Sequence, residues 1–350
     1  MACGNLYVHF PFCRSKCSYC ALYSRPGAPA EVRDAYARRI AGATSSLDLG
    51  KPLDTVYFGG GSPALCDLRP VLAALAPFLR TAAGTVPATE FTVELHPLDV
   101  TPELLGVLSG GGVNRISMGV QSLDDAILRH MGRGYTFAQA ERAFSLIRER
   151  FDNAGIDLIV GYPGERAAIL PQHERLASWG LSHCSVYSLQ NERNLKGVPD
   201  DGTVLDRLAE TAEFLRGIGL ERYEISNYSV PGRECRHNMA VWRGEDYIGL
   251  GDGACGRVGH LRTRNSWGRA LGEGGLSPVV EEVGEGFDEK ERRLFRLRTR
   301  EGLDASGHPE WGQALAGFAE EGLLRRKGGD IWVLTPRGME VCDSILAELA

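Results

Sequence analysis

The sequence predicts an α/β fold: parallel strands alternate with helices, the sheet curves into a full or partial barrel, and a smaller helix-rich module follows. Two observations carry this reading. Strand-like apolar segments alternate with segments of helical period over residues 1–225, the pattern of repeated βα units. A cysteine loop and a glycine run each follow directly on a strand-like segment, and in βα barrels chemistry gathers at the C-terminal ends of the strands.

Taken in order, Leu-Tyr-Val-His-Phe at 6–10 reads as the first strand. Val32, Tyr36, Ile40 and Ala43 recur at helical spacing. Thr55-Val-Tyr-Phe58 reads as the second strand, and Leu65, Leu68, Leu72, Leu75 and Leu79 mark one helix before a third strand at Phe91–Leu95. Thr101-Pro102-Glu103 is a capped helix start with proline in the first turn. Arg115–Val120 is the fourth strand, and Thr136 with Gln139 forms a capping-box pattern for a helix reaching about Arg150. Asp157–Val160, His183–Leu189 and Arg222–Ile225 read as later strands.

Residues 226–287 change character, being rich in glycine, arginine and aromatics without a clear helical period, and read as a connecting segment. Residues 288–350 are helix-rich, with a strand at Ile331–Thr335 and a final amphipathic helix. Helices with a short hairpin suggest a winged-helix-like module, which does not by itself imply DNA binding.

With 350 residues and 43% hydrophobic content, the chain can fill a large core and a smaller one. The net charge of -6 comes from interspersed acids and bases, with no basic block of the kind that tracks a phosphate backbone, so nucleic acid is not an expected partner. No run is long and apolar enough for a membrane span, and no signal-peptide pattern opens the sequence, so a cytoplasmic location is expected. The odd count of nine cysteines argues against a secreted disulfide framework and for a reducing compartment.

Chemistry concentrates in Tyr7-Val-His-Phe-Pro-Phe-Cys13-Arg-Ser-Lys-Cys17-Ser-Tyr-Cys20. Cys13, Cys17 and Cys20 can place three thiolates around one iron–sulfur cube. Full ligation takes four cysteines, so one iron is left for a small molecule. Zinc, closed by His9, is the competing reading; three small buried residues is the third. Gly59-Gly60-Gly61-Ser62-Pro63 follows the second strand, where glycine lets backbone approach a ligand, although a tight turn would need the same residues. Glu94 ends the third strand, Gln121 follows the fourth and Asp157 opens the fifth; their shared sheet end points to a binding site, against the alternative of solvated caps. Cys66, Cys184, Cys255 and Cys342 read as small buried residues.

The cysteine loop resembles that of the radical S-adenosylmethionine (SAM) superfamily, in which SAM chelates the open iron of a [4Fe-4S] cluster. Tyr-x-His-x-Pro-Phe-Cys and Lys-Cys-x-Tyr-Cys are similar to the branch holding the oxygen-independent coproporphyrinogen dehydrogenases and the HemW heme chaperones. The resemblance implies a six-unit partial barrel over residues 1–225. It also implies SAM contacts at Tyr7, Tyr19, Gly60, Gly61, Ser62, Glu94, Gln121, Arg133, Asp157 and Ser188. Gly134-Tyr135 departs from the family's usual arginine-x-histidine.

Tyr223-Glu-Ile-Ser-Asn227, His237-Asn-Met-Ala-Val-Trp242 and Tyr247-Ile-Gly-Leu-Gly-Asp-Gly-Ala254 resemble the HemW side of the branch. The motif implies heme, with His237 as its ligand, Cys235 and Met239 as alternative soft ligands, and a backbone-bonded structural histidine as the other reading. The dehydrogenases carry a longer segment before the cluster and a further cysteine where Leu22 stands here; both differences favour HemW. The resemblance then implies a heme carrier that hands heme to an acceptor protein, with an electron-donor protein as a further partner. Two enzymatic readings stay open: oxidative decarboxylation of coproporphyrinogen III, and methyl transfer in anaerobic heme breakdown.

Overall fold

The computed structural model describes residues 3–47, 52–83, 87–165, 172–266 and 277–350. Strict alternation shapes its first strand, β1 (Asn5–Phe10): Leu6, Val8 and Phe10 are wholly buried on one face, while half-buried Tyr7 looks from the other. The same alternation recurs in β4 (Thr55–Gly60), β5 (Glu90–Leu95) and β6 (Arg115–Gln121), then in β7 (Ala154–Val160) and β8 (His183–Ser188). Between β1 and β4, the two-residue strands β2 (Phe12–Cys13) and β3 (Arg25–Pro26) pair in parallel and staple the base of the cysteine loop.

Strands β1, β4, β5, β6, β7 and β8 pair in that order, all parallel. Their outer face buries Phe10, Phe58, Phe91, Ile116, Met118 and Ile156. Phe58 lies 5.1 Å from Phe10 and 4.9 Å from Phe91 between ring centroids, and each such side chain contributes roughly 1.5–3 kcal/mol by its burial. The covering helices are α1 (Ala30–Ser45), α2 (Arg69–Leu75), α3 (Pro102–Gly110), α4 (Asp125–Met131), α5 (Phe137–Arg148), α6 (Gln172–Ala177) and α7 (Asp201–Gly217). Thr101 caps α3 by accepting from Leu104 N at 3.1 Å, and the Thr136–Gln139 capping box opens α5.

Three expectations change. The helix expected across Leu65–Leu79 is divided into α2 and flanking 3-10 turns at Pro63–Leu65 and Ala76–Phe78, because Pro70 sets the helix start and Pro77 cannot continue its hydrogen-bond ladder. The strand expected at Arg222–Ile225 is only β9 (Glu221–Arg222), which pairs antiparallel with β10 (Asn227–Ser229), itself antiparallel to β8. The segment 226–287 is not a bare connector. It supplies β10, the helix α8 (Arg236–Trp242) and β11 (Ile248–Leu250), which joins β1 in parallel, so the large sheet does not stop at residue 225. Beyond it β12 (Cys255–Val258), β13 (Leu261–Ser266) and β14 (Ser277–Glu282) form an antiparallel sheet.

The C-terminal region builds a separate core around Leu297, Leu303, Trp311, Leu315, Trp332 and Ile345. Its helices are α9 (Glu285–Phe295), α10 (Gly312–Glu320), α11 (Pro336–Glu340) and α12 (Cys342–Leu349). Its strands β15 (Leu303–Asp304), β16 (Leu324–Gly328) and β17 (Ile331–Leu334) include the expected hairpin. Among the described residues, no helix is long and apolar enough to cross a membrane.

Candidate functional site

The C-terminal ends of the six parallel strands converge on one mouth, and the half-buried positions Tyr7, Tyr57, Glu94, Gln121 and Asp157 line the lumen beneath it. The three cysteines of the loop are free thiols of intermediate exposure. Burial raises the Cys13 thiol, and the neighbouring Cys20 and Cys17 raise it further; three thiols pressed together in this way ask for a positive centre. A Cβ on Gly61 would stand 2.8 Å from Cys13 Sγ and 2.4 Å from Phe12 O, so only glycine leaves this side of the thiols uncovered.

Zinc fits less well. Both ring nitrogens of His9 are taken, Nδ1 by the Tyr7 hydroxyl at 2.9 Å and Nε2 by Tyr23 O at 3.1 Å. Among the described residues no three His, Cys, Asp or Glu side chains close around a single ion. Three thiols on one loop match the arrangement expected for an iron–sulfur cube.

The loop is held from several sides. Arg133 donates to Gly119 O at 2.7 Å and reaches Cys17 Sγ at 3.5 Å. Tyr135 accepts from Arg133 Nε at 3.1 Å and donates to Val120 O at 2.7 Å, so the tyrosine that replaces the family's histidine anchors the arginine. Tyr19 lies edge-on to Tyr162, 6.4 Å between centroids. Gln121 adopts φ 70°, and its Nε2 would lie 2.7 Å from a Cβ on Gly119; the side chain folds back over space that only glycine leaves.

Glu94 accepts from the Tyr57 hydroxyl at 2.8 Å and from Gly60 N at 3.2 Å. Desolvation within the lumen, and then the nearby Asp157, raise its carboxyl to about 7. Burial likewise raises Asp157, against the hydrogen bonds it accepts from Ser185 and Ser117. Two carboxyls of raised pKa facing one lumen can exchange protons for a cationic ligand group.

Tyr7, Tyr19, Gly60, Gly61, Glu94, Gln121, Arg133 and Asp157 therefore gather at the mouth. Three expected residues do not. The Ser62 hydroxyl is spent on Asp99 at 2.6 Å, and Asp99 also takes Arg14 Nε at 2.9 Å, so Ser62 braces the glycine run against the cysteine loop. Ser188 pairs with Val160 on the outer face of the sheet; alternation gives the lumen position to its neighbour Tyr187, as Ser185 bonding Asp157 confirms.

His237 lies at the opposite end of the lumen. It is 4% exposed, its Nδ1 is 2.8 Å from Thr55 Oγ1, and the rings of Tyr57, Tyr7 and Tyr247 stand 5.3, 6.3 and 6.5 Å from its own. A porphyrin disc needs an open face around its axial ligand, which these rings deny. Cys235 and Met239 are equally buried, so all three side chains pack as a structural histidine motif would in this conformation. Cys255, expected to be buried, is exposed.

Sequence reasoning missed Asp99, Tyr135, Tyr187 and Asp252, and also Arg115. Arg115 is fully enclosed in the lower lumen, where burial disfavours its charge while Cys235 and Glu90 help to hold it. Only strand alternation from Ser117 could have signalled it.

The radical SAM superfamily model matches residues 7–177. The heme chaperone HemW of Mycobacterium tuberculosis is 31% identical over 99% of this chain and 94% of that protein. HemW of Lactococcus lactis is 33% identical over 75% of this chain and 72% of that protein. Among solved structures, coproporphyrinogen III oxidase (HemN) of Escherichia coli superposes with a TM-score of 0.78 at 20% identity, covering 99% of this chain and 89% of that one; it shows the fold alone. The chain belongs to the radical SAM superfamily and, within it, to the HemW family.

Proposed function

We propose that the chain is a heme chaperone of the HemW type, which binds heme and passes it to an acceptor protein while carrying a [4Fe-4S] cluster and SAM at the lumen mouth. One observation carries this reading: the likeness to named heme chaperones runs through nearly the whole chain, C-terminal region included. Cys13, Cys17 and Cys20 would hold the cluster. Gly60 and Gly61, Glu94, Gln121, Arg133 and Asp157 would hold SAM, with Tyr7 and Tyr19 at its edge. When bound, the cluster supplies an electron and an open iron site to SAM. The protein's part is to keep the carboxyls in a dry lumen, to hold Arg133 beside the thiols, and to exclude solvent. Heme binds outside the α8 motif in this reading, since His237 is enclosed.

The test is an anoxic heme titration of cluster-reconstituted protein, reading the Soret band against stoichiometry. Saturation near one heme per chain, followed by transfer to apo-acceptor, is the expected result. Absence of stoichiometric binding would overturn it, and vinyl groups formed from the propionates of coproporphyrinogen III would put the dehydrogenase in its place.

A further inference from the structure

The signature motif at His237 is distant from the thiols, yet its side chain is built into the floor beneath them. Helix α8 lies across the first residues of two strands, β4 and β5. Glu90, the first residue of β5, accepts from Arg236 N and His237 N at 3.0 Å each, which satisfies two orphan donors of the helix N-terminus. Thr55, the first residue of β4, donates to Asn5 Oδ1 at 2.8 Å, and Asn5 Nδ2 donates onward to Asp246 O at 3.0 Å. The Thr55 proton is thereby committed, so His237 donates from Nδ1. Burial and then Arg115 lower the ring's pKa to about 3, which keeps it neutral.

From this floor two relays rise through the lumen. His237 packs under Tyr57, whose hydroxyl holds Glu94 at 2.8 Å, and Glu94 takes the Gly60 amide. His237 also packs under Tyr7, whose hydroxyl meets His9 Nδ1 at 2.9 Å, and the His9 ring lies where a Gly60 Cβ would be, 2.7 Å away. Both relays end on Gly60.

We infer that His237 is a positioning residue for the SAM pocket: it sets the height and tilt of Tyr57 and Tyr7, which in turn aim Glu94 and the Gly60 backbone at the ligand. The inference rests on the lumen mouth being the SAM site, and it is independent of where heme binds.

The experiment measures SAM affinity of anoxically reconstituted protein by calorimetry, together with iron content and the SAM-induced change in the EPR spectrum of the reduced cluster. For His237→Ala, iron content is retained, SAM affinity falls about tenfold, the size of one misaligned hydrogen bond, and the EPR change is diminished. His237→Asn, which restores a donor to Thr55, recovers part of the loss. Tyr57→Phe leaves the floor intact and reproduces the loss, and combining it with His237→Ala adds little further, as expected for two members of one relay.

Unchanged SAM affinity in Tyr57→Phe, or full additivity in the double variant, would overturn the relay even if His237→Ala failed to fold. Loss of heme stoichiometry in His237→Ala with SAM affinity intact would restore the axial-ligand role. Failure of the heme titration in the parent protein would touch the chaperone reading alone.

Discussion

The Tyr23 hydroxyl donates to the Asp252 carboxylate at 2.6 Å across 229 residues of sequence. Arg25 Nη2 meets the same oxygen at 2.7 Å, so the strap that follows Cys20 is tied to the glycine-rich segment after β11. That segment has no spare room: a Cβ on Gly251 would stand 2.5 Å from His9 O, and one on Gly253 2.7 Å from the Tyr23 ring. Asp252→Ala removes the acceptor that Tyr23 and Arg25 share and leaves the two side chains bonded only to each other. It should destabilise the fold by about 2 kcal/mol and lower iron retention. Urea unfolding and iron assay measure both, and unchanged values in both would refute the clamp.

Gly60 has φ +112° and faces the His9 ring. Gly60→Ala adds backbone strain to a clash with an imidazole that is held at both nitrogens. A loss of about 2–4 kcal/mol is expected, read as a lower thermal midpoint, with a weaker response of the cluster to SAM. Gly42, inside helix α1 with nothing within 4 Å of its Cβ position, is the control: Gly42→Ala should leave the response to SAM unchanged and raise the thermal midpoint slightly through its better helix propensity.

Replacing Cys13, Cys17 or Cys20 by alanine removes one of the three ligands proposed for the cluster, on a loop that has no fourth thiol. Each variant should lose the four-iron chromophore after reconstitution. Full iron and sulfide content in any one of them would sink the cluster assignment.

The Glu94 carboxyl, raised from 4.5 to about 7, gives an inverted pH profile. In the ligand-free fold it keeps its proton where an unfolded chain has lost it, so its contribution to stability falls as pH rises from about 4.5 to about 7. The ionised carboxylate accepts hydrogen bonds from the ligand and attracts the fixed sulfonium charge of SAM better than the neutral acid does, so under the proposed function SAM should bind more tightly as pH rises through 7, by about tenfold between pH 6 and 8. Asp157 and Tyr57 face the same carboxyl, with Arg115 below them. Calorimetry across that range tests the slope, and Glu94→Gln should flatten it; an equally steep slope in the variant would assign the titration to another group.

Sequence alone determined what is local in the chain. The period of the apolar residues fixed the strands and most helices, because each strand face must choose between helices and lumen. The cysteine spacing fixed the loop, because three thiols within eight residues have few other uses. Local pattern failed where distant segments decide. Ser188 sits one residue out of phase because the register of β7 with β8 gives Tyr187 the lumen side. Asp99 and Asp252 carry no local signal of their role, because Ser62, Arg14, Tyr23 and Arg25 come to them only in the fold. The resemblance of the His237–Trp242 motif to HemW implied a heme-ligand role for His237. Only tertiary packing put it against Thr55 and under Tyr57 and Tyr7, since a neutral imidazole with one committed donor is stable in a dry floor where a charged or unpartnered one is not.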